Sequence, residues 1–102
     1  MNYTSAFNKI KKHCLSGTQR DIDQVLSILN GGVDLPTTRA VDYYLSLVKN
    51  PEGIEQLKHY IMNGTLIQRN YCTLYFARKN DWDIVNRAYN EGLIDRIQAY
   101  SR

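Results

Sequence analysis

The chain has 102 residues, of which 43% are hydrophobic and 23% are charged, and its formal net charge is +3. This length and composition are typical of one small globular domain and exclude wholesale disorder. No apolar run reaches the ~18–20 residues that a membrane span requires, and no apolar segment follows the N-terminal lysines as it would in a secretion signal. We therefore predict a cytoplasmic protein without a membrane segment, whose cysteines stay unpaired.

A pattern of three apolar residues and a glycine recurs along the chain, with offsets of three, six and ten from its first residue. Its copies occupy residues 22–32, 54–64 and 82–92. A recurrence of about 30 residues is typical of stacked helical hairpins, in which no unit can bury its apolar face alone. We expect each glycine to end a helix in a left-handed conformation. We also expect Trp82, at the start of the third copy, to lie in the core like the corresponding isoleucines.

Helical periodicity with recognisable ends predicts six or seven short helices and no strand. A degenerate first helix covers 5–16, and a short last helix covers 93–101. Between them are five helices of repeat type, near 19–31, 37–49, 51–63, 67–79 and 81–91. Residues 1–102 are thus predicted to form one all-α domain, a short α-solenoid or helical bundle arranged as helical hairpin repeats.

Polar residues stand where several of these helices begin. Thr18, Asn50 and Asn80 are N-cap candidates. Pro51 follows at a first helical position, where its missing N–H costs nothing. Asp21, three residues after Thr18, can close a capping box. Acidic residues at these positions are explained by helix capping, and they require no role in acid–base chemistry.

The third copy and the helix before it carry a family-like motif. Leu74 and Ala77 fall in one predicted helix, and the pair Ile84 and Val85 falls in the next, which stops at Gly92. This arrangement resembles an ankyrin repeat.

The resemblance has departures, since Tyr75 stands at the histidine position of the ankyrin family and Asn80-Asp81 replaces its glycine turn. Residues 80–83 are also similar to the turn of tetratricopeptide and pentatricopeptide hairpins. The resemblance covers residues 21–96 and implies a helical repeat protein that binds a protein or, in some members, RNA. It implies no catalytic residue.

The sequence lacks the motifs of common enzymes, including a glycine-rich phosphate loop and a G-x-S-x-G elbow. The histidines are His13 and His59, and His13 shares a helix face with Phe7 and Ile10, which favours a partly buried structural role. His13 does not face Cys14, because adjacent helix residues point about 100° apart. We predict that the protein is not an enzyme and has no cofactor and no metal site.

Eight tyrosines favour a binding function, because tyrosine is enriched at recognition surfaces. Tyr43 is turned off the apolar stripe of its helix by about 100° and is expected to be an exposed anchor. The candidate partner-binding residues are Tyr43, Tyr71, Arg69, Arg78 and Lys79.

Residues 1–20 hold four bases and no acid. The repeated hairpin, the excess of tyrosines and the lack of a catalytic constellation together lead us to expect a non-enzymatic protein–protein interaction module. Single-stranded RNA or DNA binding through basic residues and tyrosines is the alternative, and self-association as a homodimer is a third interpretation.

Overall fold

A computed structural model describes residues 3–100, and this part of the chain contains seven α-helices and no strand. The helices are α1 (Tyr3–Ser16), α2 (Gln19–Ile28), α3 (Leu35–Leu45), α4 (Pro51–Asn63), α5 (Leu66–Arg78), α6 (Trp82–Asn90) and α7 (Arg96–Tyr100). The prediction of an all-α fold is therefore confirmed over these residues. Within the same range, no helix combines the length and the apolar character needed to cross a bilayer.

Several helices begin or end at other residues than the periodicity predicts. α3 begins at Leu35, two residues early, because the carboxylate of Asp34 accepts a hydrogen bond from the backbone N–H of Thr37. α7 begins at Arg96, three residues late, because Asp95 and Gln98 cap its first turn reciprocally, at 2.7 and 2.9 Å. Position 101, the last of the predicted final helix, lies outside the described residues.

The chain divides into two compact units, Met1–Gln56 and Leu57–Arg102, with the boundary inside α4. In the first unit, α1 packs against α2 and α3. In the second unit, α5 packs against α6 and α7, and α6 packs against α7. The fully buried side chains include Ile22, Val25, Leu26 and Val41 in the first unit, and Leu57, Ile61, Phe76 and Val85 in the second. The single domain over residues 1–102 stays a prediction.

Two of the predicted N-caps are confirmed. The hydroxyl of Thr18 accepts a hydrogen bond from the backbone N–H of Asp21, and the Asp21 carboxylate accepts one from the N–H of Thr18. This reciprocal pair satisfies two backbone donors that would otherwise lack an intrahelical partner. The side-chain oxygen of Asn50 accepts from the N–H of Glu52 at 3.0 Å, and Pro51 is the first residue of α4.

The predicted N-cap at Asn80 is wrong. Asn80 has φ 59°, a left-handed conformation, and it ends α5. Its N–H donates to the carbonyl of Ala77, and the N–H of Asp81 donates to the carbonyl of Phe76. This is the hydrogen-bond pattern of a Schellman motif, in which asparagine can replace glycine. Asp81 is left as the N-cap of α6, and its side chain makes no capping hydrogen bond.

The glycine prediction holds at one of its three positions. Gly92 has φ 75° and ends α6, whereas Gly32 and Gly64 do not have a positive φ. A different glycine is required by close packing within the first unit. A Cβ atom added to Gly53, in the first turn of α4, would lie 2.3 Å from the carbonyl oxygen of Gly17 in the α1–α2 turn. Only a glycine lets these two backbones approach so closely.

The prediction that Trp82 lies in the core is also wrong. Trp82 is 38% exposed, whereas Ile22 is fully buried and Ile54 is half-buried. Ile22 and Ile54 are each the fourth residue of their helix, but Trp82 is the first residue of α6. Because helical side chains tilt toward the N-terminus, the side chain of a first residue projects beyond its helix. The three copies therefore do not have equivalent surroundings.

Candidate functional site

The end of α5 and the start of α6 form an apolar groove on the second unit. Its walls are Leu74, Ala77, Arg78 and Trp82, and its volume is about 350 Å³. Ala77 is 7% exposed and Leu74 is half-buried, so the aliphatic side of the groove is well supported. The Schellman turn at Asn80 brings the last turn of α5 beside the first residue of α6. We call this feature the Trp82 groove.

The ring of Trp82 contacts an aromatic side chain of α7. The ring of Tyr100 is stacked with that of Trp82, with centroids 6.4 Å apart and planes 25° apart. Tyr100 also meets the ring of Tyr89 edge-on at 5.3 Å, and its hydroxyl donates to Oδ1 of Asn86 at 2.6 Å. Trp82 nevertheless keeps more than a third of its surface accessible. Its position is therefore supported by packing, while part of the ring stays exposed to solvent.

Acidic residues adjoin Trp82 in sequence but face another groove. Asp81 and Asp83 line this second groove, of about 470 Å³, together with Lys58, Ile84 and Arg87. Arg78 is the charged residue among the described lining of the Trp82 groove. The Trp82 groove is therefore mainly apolar with one cationic edge, whereas the neighbouring groove carries both signs of charge.

The structure places the predicted partner-binding residues in different settings. Tyr43 is 65% exposed on α3 in the first unit, as expected, and its ring contacts the ring of Tyr44 edge-on at 5.2 Å. Tyr71, on α5, is half-buried. Arg78 lies at the Trp82 groove, and the exposed Lys79 follows it, with its Nζ 5.3 Å from the centre of the Tyr75 ring.

Arg69 has a structural role that its sequence position did not indicate. Its Nε donates to the carbonyl of Leu93 at 2.8 Å, and its Nη1 donates to the carbonyl of Gly64 at 2.9 Å. Both carbonyls lie just beyond helix ends, where backbone acceptors lack intrahelical donors. The binding role of all five predicted residues stays a prediction, and the structure places only Arg78 of them on the Trp82 groove.

The sequence pattern does not identify Trp82 as a surface residue. Its flanking aspartates carry no such signal, because Ile22 also stands between two aspartates and is fully buried. The hydrophobic spacing is shared as well, so exposure at this position depends on where α6 begins.

A third groove lies on the first unit and contains a histidine. It is lined by Ala6, Lys9, Ile10, His13, Gln24, Ser27, Ile28 and Thr37, and its volume is about 340 Å³. Nδ1 of His13 lies 2.7 Å from Oδ1 of Asp21, whose other oxygen accepts from the hydroxyl of Thr18 at 2.6 Å. The hydrogen bonds from His13 and Thr18 lower the pKa of Asp21. We call this feature the His13 groove.

The cysteines are poorly suited to nucleophilic chemistry. Cys14 and Cys72 are both buried and unpaired. Burial raises the pKa of the Cys14 thiol to about 12, and burial also raises the pKa of the Cys72 thiol. Both side chains are therefore thiols at neutral pH, and the thiolate is the nucleophilic form. Among residues 3–100, no three histidine, cysteine or acidic side chains come together in a group that could hold a metal ion.

No known protein family, no curated protein and no solved structure matches this chain. The ankyrin-like and tetratricopeptide-like motifs consequently receive no support from a family match. The function has to be inferred from the chemistry of the grooves themselves.

Proposed function

We propose that this protein is a non-enzymatic interaction module, which binds a segment of a partner protein in the Trp82 groove. The observation that carries the proposal is a tryptophan that is 38% exposed at the wall of an apolar groove. Tryptophan is enriched among the residues that contribute most to protein interfaces, because it buries a large area with little loss of side-chain freedom.

The shape of the Trp82 groove favours an apolar side chain of a protein. Leu74 and Ala77 supply aliphatic surface, and Trp82 supplies an aromatic wall whose ring also stacks with that of Tyr100. The volume of about 350 Å³ is near the lower end for ligand sites, about 300–1,000 Å³. The groove thus fits one or two side chains of a short segment, such as a leucine or a phenylalanine.

Single-stranded nucleic acid is the second candidate. The Trp82 and Tyr100 rings form an aromatic platform, and Arg78 lies beside it. Bases stack on such platforms, and cations neutralise the phosphates. However, Asp81 and Asp83 line the neighbouring groove, where their carboxylates would repel a phosphate chain that extends beyond the Trp82 groove. We therefore favour a protein partner.

We also propose that the chain is a helical repeat protein. The hairpins α1–α2 and α5–α6 each join two packed helices through a short turn, as repeat proteins do. The central apolar residue of the pattern is fully buried in every copy, as Val25, Leu57 and Val85. Trp82 is exposed, whereas Ile22 and Ile54 are not, so the three copies of the pattern are not equivalent. Equivalence of the copies therefore gives the binding function no support. The binding proposal therefore stands on the Trp82 groove alone.

Selection of peptides from a random display library tests the proposal. The full chain is the bait, and binders to the Trp82→Ala variant are removed at each round. We expect enriched peptides to carry a large apolar residue and to lose affinity for Trp82→Ala by about tenfold or more. Leu15→Ala is the matched control, because Leu15 is 59% exposed on the first unit, outside the Trp82 groove. This control variant should bind the same peptides as the unmodified chain does.

Direct titrations separate the alternatives. Trp82 is the single tryptophan of the chain, so its fluorescence reports on the groove without a label. A selected peptide should shift the emission to shorter wavelength as the ring leaves water. Quenching by an oligothymidylate, with affinity that falls steeply as salt rises, would replace the proposal by the nucleic-acid function. Peptides that bind Trp82→Ala unchanged, or a shift that depends only on protein concentration, would overturn it, the latter in favour of a homodimer.

A further inference from the structure

Two Asn-Gly pairs occur in the chain, at residues 30–31 and 63–64, and their backbones have different structures. The first pair lies in the turn between α2 and α3, where all three residues from Asn30 to Gly32 are exposed. In the second pair, Asn63 is the last residue of α4. An asparagine before a glycine is chemically labile, because the backbone nitrogen of the glycine can attack the side-chain amide. The fate of each pair therefore depends on what surrounds that nitrogen.

The backbone nitrogen of Gly31 is open to reaction. Its N–H donates no hydrogen bond to any residue that the structure describes. The N–H of Val33 donates to the carbonyl of Asn30 at 3.1 Å and so closes the turn around the two glycines. A Cβ added to Gly31 would meet nothing within 4 Å. Because the glycine has no side chain and lies in open space, nothing shields its nitrogen from the neighbouring asparagine.

The side-chain amide of Asn30 is held in a reactive arrangement. Its Oδ1 accepts a hydrogen bond from the N–H of Gly32 at 2.9 Å. The ring that this hydrogen bond closes contains both reacting atoms, Cγ of Asn30 and the nitrogen of Gly31. Oδ1 gains negative charge when the nitrogen attacks Cγ, and the N–H of Gly32 stabilises that charge. The turn therefore supplies both the nucleophile and a donor for the developing oxyanion.

The second Asn-Gly pair is protected by the last turn of α4. The N–H of Gly64 donates to the carbonyl of Tyr60 at 2.8 Å, as within a helix. Nδ2 of Asn63 donates to the carbonyl of His59 at 3.1 Å. Attack by the Gly64 nitrogen therefore requires this turn to open and its hydrogen bonds to break. The same dipeptide is thus expected to react much more slowly here than in the turn after α2.

We propose that Asn30 is a site of spontaneous deamidation in the folded protein, whereas Asn63 is protected. The nitrogen of Gly31 forms a bond to Cγ of Asn30, and its proton passes through solvent to Nδ2. The bond between Cγ and Nδ2 breaks, and ammonia leaves. Water then opens the resulting succinimide at one of its two carbonyls, which yields aspartate or isoaspartate. No group is oxidised or reduced.

Either product changes the first unit of the chain. A carboxylate replaces the amide, which lowers the formal net charge of +3 by one. Isoaspartate also adds a methylene group to the backbone between α2 and α3, and both of these helices pack against α1. The modification site is separate from the Trp82 groove and does not depend on the function proposed there.

Mass spectrometry of the aged full chain tests this proposal. The folded protein is kept in a mildly alkaline buffer and is then digested with trypsin, which releases the two asparagines on separate peptides, residues 21–39 and 59–69. Deamidation makes a peptide heavier by the difference between a hydroxyl and an amino group. We expect the Asn30 peptide to convert at least about tenfold faster than the Asn63 peptide, since one helical hydrogen bond opposes the second reaction.

The same chain unfolded in urea is the control for sequence effects. Both peptides should then convert at similar rates, because the protection of Asn63 depends on the helix. Equal rates in the folded chain, or an Asn30 peptide that converts only in urea, would overturn the proposal. A rate difference that persists unchanged in urea would also overturn it, since the cause would be the neighbouring sequence rather than the fold.

Gly31→Ala tests the role of the attacking nitrogen without disturbing the packing, because the added Cβ has open space. The methyl group hinders the nitrogen, so the conversion of Asn30 should slow by about tenfold. The Asn63 peptide of the same sample is the matched control, and its rate should not change. An unchanged Asn30 rate in this variant would show that Gly31 is not the nucleophile and would overturn the proposed reaction.

Discussion

The first turns of α2 and α6 share a sequence pattern but have opposite surroundings. α2 starts in a complete capping box at Thr18, and its patterned residue Ile22 is fully buried. α6 starts at Asp81 without a side-chain cap, and its patterned residue Trp82 is 38% exposed. The difference arises because the Schellman turn of α5 uses Asn80, so that α6 begins three residues later in the pattern. Where a helix begins thus decides whether an apolar residue is buried in the core or exposed at the surface.

Substitution of the two patterned residues should give the largest contrast. Ile22→Ala should reduce the free energy of unfolding by about 2–5 kcal/mol, because it leaves a cavity in a fully buried site. Trp82→Ala should cost clearly less, because part of the ring is already in water. Urea titrations followed by circular dichroism measure both values. Equal losses would show that Trp82 contributes to the core as Ile22 does.

A pair of glycine substitutions tests the packing that supports the start of α4. Gly53→Ala should destabilise the protein by about 1–3 kcal/mol, because the new Cβ would lie 2.3 Å from the carbonyl oxygen of Gly17. Gly31→Ala is the control, because a Cβ there meets nothing within 4 Å. Its effect should stay within about 0.5 kcal/mol. Thermal unfolding of the two variants side by side checks the difference, and a stable Gly53→Ala variant would contradict it.

The two helix starts can be compared directly through their N-caps. Thr18→Ala removes both the side-chain acceptor for Asp21 and a hydrogen bond to its carboxylate, and should cost about 0.5–2 kcal/mol. Asp81→Ala removes no capping hydrogen bond and should change the stability by less than about 0.5 kcal/mol. Urea midpoints of both variants measure the effect. A larger loss in Asp81→Ala would mean that α6 depends on an unrecognised contact of that carboxylate.

Low pH should destabilise the start of α2, because it protonates the carboxylate of Asp21. The pKa of Asp21 is lowered in the folded protein, so its hydrogen bonds stabilise the fold above about pH 4, the usual value in an unfolded chain. That contribution is lost as the pH falls from there toward the lowered pKa. Asp21→Asn should therefore lose less stability than the unmodified chain between about pH 6 and about pH 3. Asp34, whose pKa is also lowered, is present in both proteins and does not affect the comparison.

The local features of the fold were predictable from the sequence. The caps at Thr18 and Asn50 and the stop at Gly92 depend on hydrogen bonds between residues that are at most a few positions apart. Helix periods depend on similarly short spacings, and so the all-α class followed from them. These interactions form in any context that permits a helix, which is why neighbouring residues are sufficient to identify them.

The candidate sites were decided by tertiary structure. Arg69 is bound to a carbonyl 24 positions away, and the Gly17–Gly53 approach joins distant turns. Trp82 owes its supported position to Tyr100, which a separate helix brings beside it. Such contacts depend on how helices pack, and hydrophobic spacing within one helix carries no information about its neighbours. Sequence alone therefore determined which segments are helical, whereas packing decided which side chains remain exposed.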